Sequence, residues 1–319
     1  MSDILLEEYI SRINRVLDHI DTHLSDEMTL EELASVACFS KYHFHRVFQG
    51  VVGETLFQFI QRLRIEKAAQ MLQMQKRMSV TEIFYECGFT NHAAFSRAFK
   101  QTFGMSPSVW RASVDEKSNI STTLSNDGIQ QRSYRKAHAL LHDYTSFSGR
   151  TQKGSGAMQT VQGNVRVEEW KDTTVAYVRH IGPYVGDSAL FDTLFKKICG
   201  WTGTRGLLGK DSQYIVIYHD DLAITDEDKL RISVCVTVPE KTEVSGEIGK
   251  MTIPKGTYAM ARFVLKSDEF SAAWQWVYST WLPSSGYQSG DNPCFELYPG
   301  DPKEDGSMEV DICISVKPM

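Results

Sequence analysis

Thr29-Leu-Glu-Glu-Leu-Ala34 returns fifty residues later as Ser79-Val-Thr-Glu-Ile-Phe84, and this repetition decides how the first third of the chain is read. Each stretch has the form of a capping box: a hydroxyl able to accept from the backbone three residues on, and a glutamate there able to reach back. Each predicts the start of a short helix. The helices run into tight corners, Cys38-Phe39-Ser40 and Gly88-Phe89-Thr90-Asn91, whose last residues suit the N-cap of a second helix. Beyond the corners, Phe44, Arg46, Phe48, Gly53 and Thr55 align with Phe95, Arg97, Phe99, Gly104 and Ser106, allowing for one extra residue in the second corner.

Two short helices joined by such a corner predict a helix-turn-helix unit, whose second helix enters the major groove. Phe44, Val47 and Phe48, like Phe95, Ala98 and Phe99, recur at helical spacing, so one stripe of each second helix is expected to be buried. The opposite stripe is then free to read DNA. It holds Tyr42, His45 and Arg46 in the first unit and His92, Ala93, Ser96 and Arg97 in the second. Arginine can offer two donors to guanine, while Tyr42 and Ala93 can meet a thymine methyl. Between the units, Thr55 to Met74 reads as one helix, with Leu56, Phe59, Ile60, Leu63, Ala68, Met71 and Leu72 on its apolar side. Its length of about 30 Å is close to one turn of B-DNA, about 34 Å, so it could set both reading helices in successive major grooves. Arg62, Arg64 and Lys67 are candidates for phosphate contact.

These residues carry a family resemblance. Glu32-Leu33-Ala34, Ser40 followed by Phe44, Arg46 and Phe48, the run Tyr85 to Phe89, then Phe95, Arg97, Phe99, Lys100 and Gly104 to Pro107 resemble the AraC/XylS class of transcription activators. The resemblance covers residues 1–111 and implies binding to double-stranded DNA. Ala93 and Ala94 depart from the bulky polar residues common in that class, which implies that the second unit reads fewer bases directly.

The formal net charge of −6 opposes DNA binding only until it is divided along the chain. Residues 1–111 carry 12 Lys and Arg against 13 Asp and Glu, and the acidity belongs to residues 165–319, with 16 against 23. A near-neutral domain binds DNA if its cations share a face. No run reaches the roughly 18 to 20 apolar residues of a membrane helix, and the first residues hold Asp3, Glu7 and Glu8 in place of a basic signal start, so the cytoplasm is the expected location. The six cysteines stand singly, without CxxC spacing, so reduced thiols and no structural zinc are expected.

Residues 112–164 are rich in Ser, Thr, Gly and Gln and read as a connector, with one short element at most around Ala137 to Leu141. The rest, 165–319, contains a second repeat with a period near 80. Tyr177, Phe191, Leu194-Phe195 and Trp201 are answered by Tyr258, Phe270, Ala273-Trp274 and Trp281. Gly206 to Asp211 with Tyr218 is answered by Gly286 to Asp291 with Tyr298. Each half reads strand, helix, strand, strand, and two such halves can share one curved antiparallel sheet. The fold expected is therefore an all-α double helix-turn-helix domain followed by an α+β domain of two repeats.

The C-terminal half resembles the GyrI-like effector-binding domains, through Ile253-Pro254-x-Gly256-x-Tyr258-Ala259, the helix Phe270 to Trp281, and Cys294-Phe295-Glu296-Leu297-Tyr298. The resemblance implies a pocket in which a glutamate among aromatic residues attracts cationic, lipophilic ligands, as in multidrug sensors. Glu296 matches that glutamate. By strand alternation it shares a face with Cys294 and Tyr298, and a buried carboxylate there is costly until a cation arrives. Tyr184, Phe191, Phe270, Trp274 and Tyr298 are the expected walls, able to add cation–π attraction of about 0.5 to 2 kcal/mol.

The partners implied are double-stranded DNA, a small-molecule effector and RNA polymerase, and no membrane. No GxSxG elbow, P-loop or HExxH run is present, so neither catalysis nor a cofactor is expected. A hydrolase pocket and a protein-docking surface are the two other roles open to the C-terminal half, because fold alone does not specify function.

Overall fold

The computed structural model describes residues 2–115 and 163–318, apart from 210, 223, 291, 301, 302 and 304. The chain divides into two compact units, one of 15–155 with 222–225, the other of 1–14, 156–221 and 226–319. The connector expected over 112–164 lies outside the described residues except for 112–115 and 163–164, and so does its short element.

Helices α1 (Ser2–Thr22), α2 (Leu30–Val36), α3 (Lys41–Val52), α4 (Leu56–Met74), α5 (Val80–Glu86), α6 (His92–Phe103) and α7 (Pro107–Asp115) follow one another along the first part of the chain. Both predicted capping boxes form, with Glu32 N donating to Thr29 Oγ1 at 3.2 Å and Ser79 N to Glu82 Oε2 at 2.6 Å. A third, Thr55 with Gln58, starts the long linking helix α4. Helices α2–α3 and α5–α6 are the two helix-turn-helix pairs. Phe48 packs edge-on against both Phe44 and, on α4, Phe59, while Phe95 and Phe99 continue through Phe103 to Trp110, whose indole donates to the carbonyl of Ala69. Each such ring, buried, contributes about 1.5 to 3 kcal/mol.

The two corners are built differently. Cys38 occupies the left-handed region at φ 54°, while Gly88 does so at φ 74° in a place where an added Cβ would lie 2.6 Å from the carbonyl oxygen of Ser25. Asn91 caps α6 by accepting from Ala94 N at 2.9 Å, whereas Ser40 starts α3 without a side-chain cap.

In the second unit, strands β1 (Asn164–Trp170) and β2 (Thr173–Ile181) precede helix α8 (Ser188–Thr204), then β3 (Tyr214–Tyr218) and β4 (Arg231–Thr237). Strands β5 (Gly249–Ile253) and β6 (Gly256–Leu265) precede helix α9 (Phe270–Trp276), which runs on through a π-helical turn at Val277–Trp281. Then come β7 (Tyr287–Ser289), β8 (Cys294–Tyr298) and β9 (Met308–Pro318). The predicted repeat of strand, helix, strand and strand is present, and each copy carries one further strand in front, β1 or β5. The sheet is antiparallel, in the order β1-β6-β9-β8-β3-β4-β2-β5, with β7 added on β9.

This order reads the same in both directions when the repeats are exchanged, so the halves meet at β3 and β8 about an internal twofold. Strands β1 and β5 occupy opposite edges, yet β1 joins β2, and β5 joins β6, by two-residue links. The links touch, with Lys255 N donating to Asp172 at 2.7 Å. The sheet must therefore curl until its edges approach, and it closes over a helix-free core of Tyr177, Ile215, Ile217, Tyr258 and Phe295. The other face carries α8 and α9.

Candidate functional site

On the helical unit, His45, Arg46, His92, Ala93, Ser96 and Arg97 are exposed, while Phe44, Phe48, Phe95 and Phe99 on the opposite stripes are buried. Tyr42 lies on α3 with its side chain outside the described residues. His92 is less free than its exposure suggests, because its ring stacks on Phe84 at 3.8 Å. The α4 cations expected at phosphate have partners within the protein. Arg62 is held by Glu54 at 2.6 Å and Glu66 at 3.1 Å. Arg64 donates to the carbonyls of Leu24, Asp26 and Gly88, and Lys67 to Ser25. Arg64 and Lys67 thereby tie α4 to the loops that follow α1 and α5.

On the α/β unit, alternation along β8 turns Glu296 toward the helix-covered face, where it is 1% exposed. Its carboxylate accepts from Tyr298 Oη at 2.6 Å, Tyr218 Oη at 2.8 Å and Trp274 Nε1 at 2.6 Å. Burial pushes the carboxyl above its ordinary value, against the pull of those three donors. Burial also raises the hydroxyls of Tyr218 and Tyr298, with the neighbouring carboxylate acting the same way, so both stay protonated and able to donate.

The rings around this carboxylate obey the internal twofold. Phe195 of α8 meets Tyr298 edge-on at 5.9 Å, and its counterpart Trp274 of α9 meets Tyr218 edge-on at 5.5 Å. The carboxylate does not obey it: aligning Tyr218 with Tyr298 gives Glu296 the counterpart Val216, which is also its cross-strand neighbour. Of the expected wall residues, Trp274 and Tyr298 touch the carboxylate. Tyr184 is one ring away, 5.8 Å from Tyr218, and Phe191 sits edge-on to Tyr184 at 6.3 Å. Phe270, one turn before Trp274, packs into the core beneath α9. Tyr218, Phe195 and Tyr278, which stacks on Trp274, were not among the candidates. The repeat itself was the signal for the first two, since Tyr218 mirrors Tyr298 and Phe195 mirrors Trp274.

Comparison with known proteins finds relatives for each part of the chain. Residues 163–317 match the model of the GyrI-like small molecule binding domain, and residues 33–113 a helix-turn-helix domain. AarP of Providencia stuartii, an HTH-type transcriptional activator, is 34% identical over 103 residues, covering 32% of this chain and 76% of AarP. A DNA gyrase inhibitor of Erwinia billingiae is 27% identical over 156 residues, covering 48% of this chain and 97% of the inhibitor. The solved C-terminal domain of EcmrR superposes with a TM-score of 0.42 at 20% identity, covering 49% of this chain and 99% of that one. A double helix-turn-helix unit followed by a small-molecule-binding domain defines a DNA-binding transcription regulator. More particularly, the chain belongs to the AraC-type regulators and carries a GyrI-like domain at its C-terminal end. Among the described residues no helix is long and apolar enough to cross a membrane.

Proposed function

We propose that Glu296 and the rings around it bind a small cationic, lipophilic effector, whose arrival changes how residues 1–111 engage DNA and RNA polymerase. In this reading 112–164 is the connector, 165–319 is the sensing domain, and His45, Arg46 and Arg97 face the major groove with Tyr42, His92, Ala93 and Ser96. One observation carries the proposal: among the described residues, every hydrogen bond to this buried carboxylate comes from a neutral donor. Three neutral donors stabilise the anion locally and leave its unit charge uncompensated in a poorly polarisable surrounding. A lipophilic cation supplies the missing charge and covers the rings, and a neutral molecule of the same shape does only the second.

The test is a fluorescence titration of the full chain and of Glu296→Gln with 10-methylacridinium and its neutral isostere 9-methylanthracene. The parent should prefer the cation, and Glu296→Gln should lose about 1.5 to 3 kcal/mol of cation affinity with little change for the neutral molecule. DNA affinity without ligand should be unchanged. Equal weakening of both probes, or no binding of the cation by the parent, overturns the reading.

A further inference from the structure

Tyr184 is 4% exposed, and its hydroxyl has no hydrogen-bond partner among the described residues. Buried phenols nearly always find one. The nearest polar rings do not supply it, because Tyr218, Tyr298 and Trp274 direct their donors to Glu296. Nor is the ring free to swing toward another partner. The segment leading to it is pinned, with Gly182 N donating to Leu230 O at 2.8 Å and His180 Nε2 bonded to Pro183 O at 3.1 Å. The ring itself is wedged between Tyr218 and Phe191.

The internal twofold makes Tyr184 stand out again. Carried through the ladders from Tyr218 and Tyr298, the twofold sets Ile232 on Val310 and His180 on Phe263, so the segment around Tyr184 falls opposite the exposed residues Lys266 to Asp268. Each half thus departs from its mirror image with one polar group near the same aromatic cluster: Glu296 where the other half has Val216, and the buried Tyr184 where the other half has an exposed turn. The acidic groups Glu296, Asp220 and Asp221 all act against ionisation of the phenol, as burial does, so it keeps its proton and can donate.

We propose that the Tyr184 hydroxyl is a second recognition point, donating a hydrogen bond to an uncharged acceptor on the effector. The effector class is then an aromatic cation that also bears a carbonyl or ether oxygen. The proposal rests on the reading of Glu296 as the cation's partner, and it predicts a discrimination that Glu296 cannot supply, between two ligands of equal charge.

The experiment titrates the full chain, Tyr184→Phe and Glu296→Gln with 10-methylacridinium and with its monoacetyl isomers, which carry one carbonyl to different ring positions. Urea unfolding of the ligand-free proteins accompanies it. At least one isomer should bind the parent about 3- to 10-fold more tightly than the unsubstituted cation, as one added hydrogen bond allows. That advantage should vanish in Tyr184→Phe and persist in Glu296→Gln, where both cations weaken together. The urea midpoint of Tyr184→Phe should not fall below that of the parent. The proposal is overturned if no isomer gains, if the gain survives in Tyr184→Phe, or if the ligand-free variant is destabilised, which would show the hydroxyl to be bonded already. Failure of the Glu296 reading looks different, as equal loss of the charged and neutral probes in Glu296→Gln.

Discussion

Both regions of this molecule are duplications, and they use duplication in opposite ways. In the helical unit the two copies stand in series along α4, each with its own exposed arginine, Arg46 or Arg97. In the α/β unit the copies face one another across β3 and β8, and their rings converge on a single carboxylate. Copies in series give two sites of one kind, whereas copies about a twofold give one site made of two unlike halves. Divergence is therefore tolerated differently. The serial copies each keep an exposed arginine of their own, while in the paired copies a single change, valine against glutamate, places one carboxylate among the rings of both.

The largest effect that tests the serial half of this comparison lies at the corners. Gly88→Ala combines a left-handed backbone with a contact of 2.6 Å to Ser25, and should destabilise the helical unit by on the order of 3 kcal/mol in thermal or urea unfolding. Cys38→Gly should stay within about 1 kcal/mol of the parent, since that corner already holds a side chain in the left-handed region. Similar losses at both positions would mean that the corners are equivalent after all.

Next come the exposed arginines of α3 and α6. Arg46→Ala should cost about 1 to 3 kcal/mol on a specific site and less on random DNA, with Arg97→Ala behaving alike over fewer base positions. Equal loss on both kinds of DNA would reduce these residues to phosphate contacts, and a footprint shorter than about one and a half helical turns would break the serial arrangement. Smaller again is the difference between the caps: Asn91→Ala should cost about 1 kcal/mol, whereas Ser40→Ala should be nearly neutral because Ser40 makes no side-chain cap.

The smallest change is a slope with pH. Glu296 is raised in the folded state, so its contribution to stability is present below its ordinary value of 4.5 and is lost as pH rises through the raised value. Asp311, lowered by its hydrogen bonds to Arg262 and Arg166 in spite of burial, works the other way and is lost as pH falls. Unfolding of ligand-free Glu296→Gln from pH 4.5 upward should lack the decline that the parent shows. An unchanged decline would assign the slope to another group.

Much of this arrangement was legible in the sequence because it is local or periodic. Capping boxes need residues three apart, and alternation along β8 sufficed to turn Glu296 and Tyr298 the same way. What stayed hidden is where a side chain finds its partner far along the chain. Arg62, Arg64 and Lys67 lie on α4 as expected, but helical spacing cannot show that Glu54, the Leu24 and Gly88 carbonyls and Ser25 converge on them. The buried pair of Arg231 with Asp220 was likewise invisible, since eleven residues and a loop separate its members. Strands β1 and β5 escaped the repeat because they are edge strands with exposed charges, such as Glu168, Glu169 and Lys250, and carry little of the hydrophobic period.

The edge strands carry one more consequence. Strand β1 is covalently tied to the first half yet pairs with β6 of the second, and β5, tied to the second, pairs with β2 of the first. Each half therefore lends a strand to the other, and a half made alone would have an open edge where its borrowed strand belongs. Partners such as Asn164 and Arg262 must also find one another across nearly a hundred residues, and late, non-local pairing of this kind is slow, on the order of milliseconds to seconds. The α/β unit should consequently appear all at once, after its last strand has left the ribosome, and a chain cut anywhere between β1 and β9 should yield no foldable half.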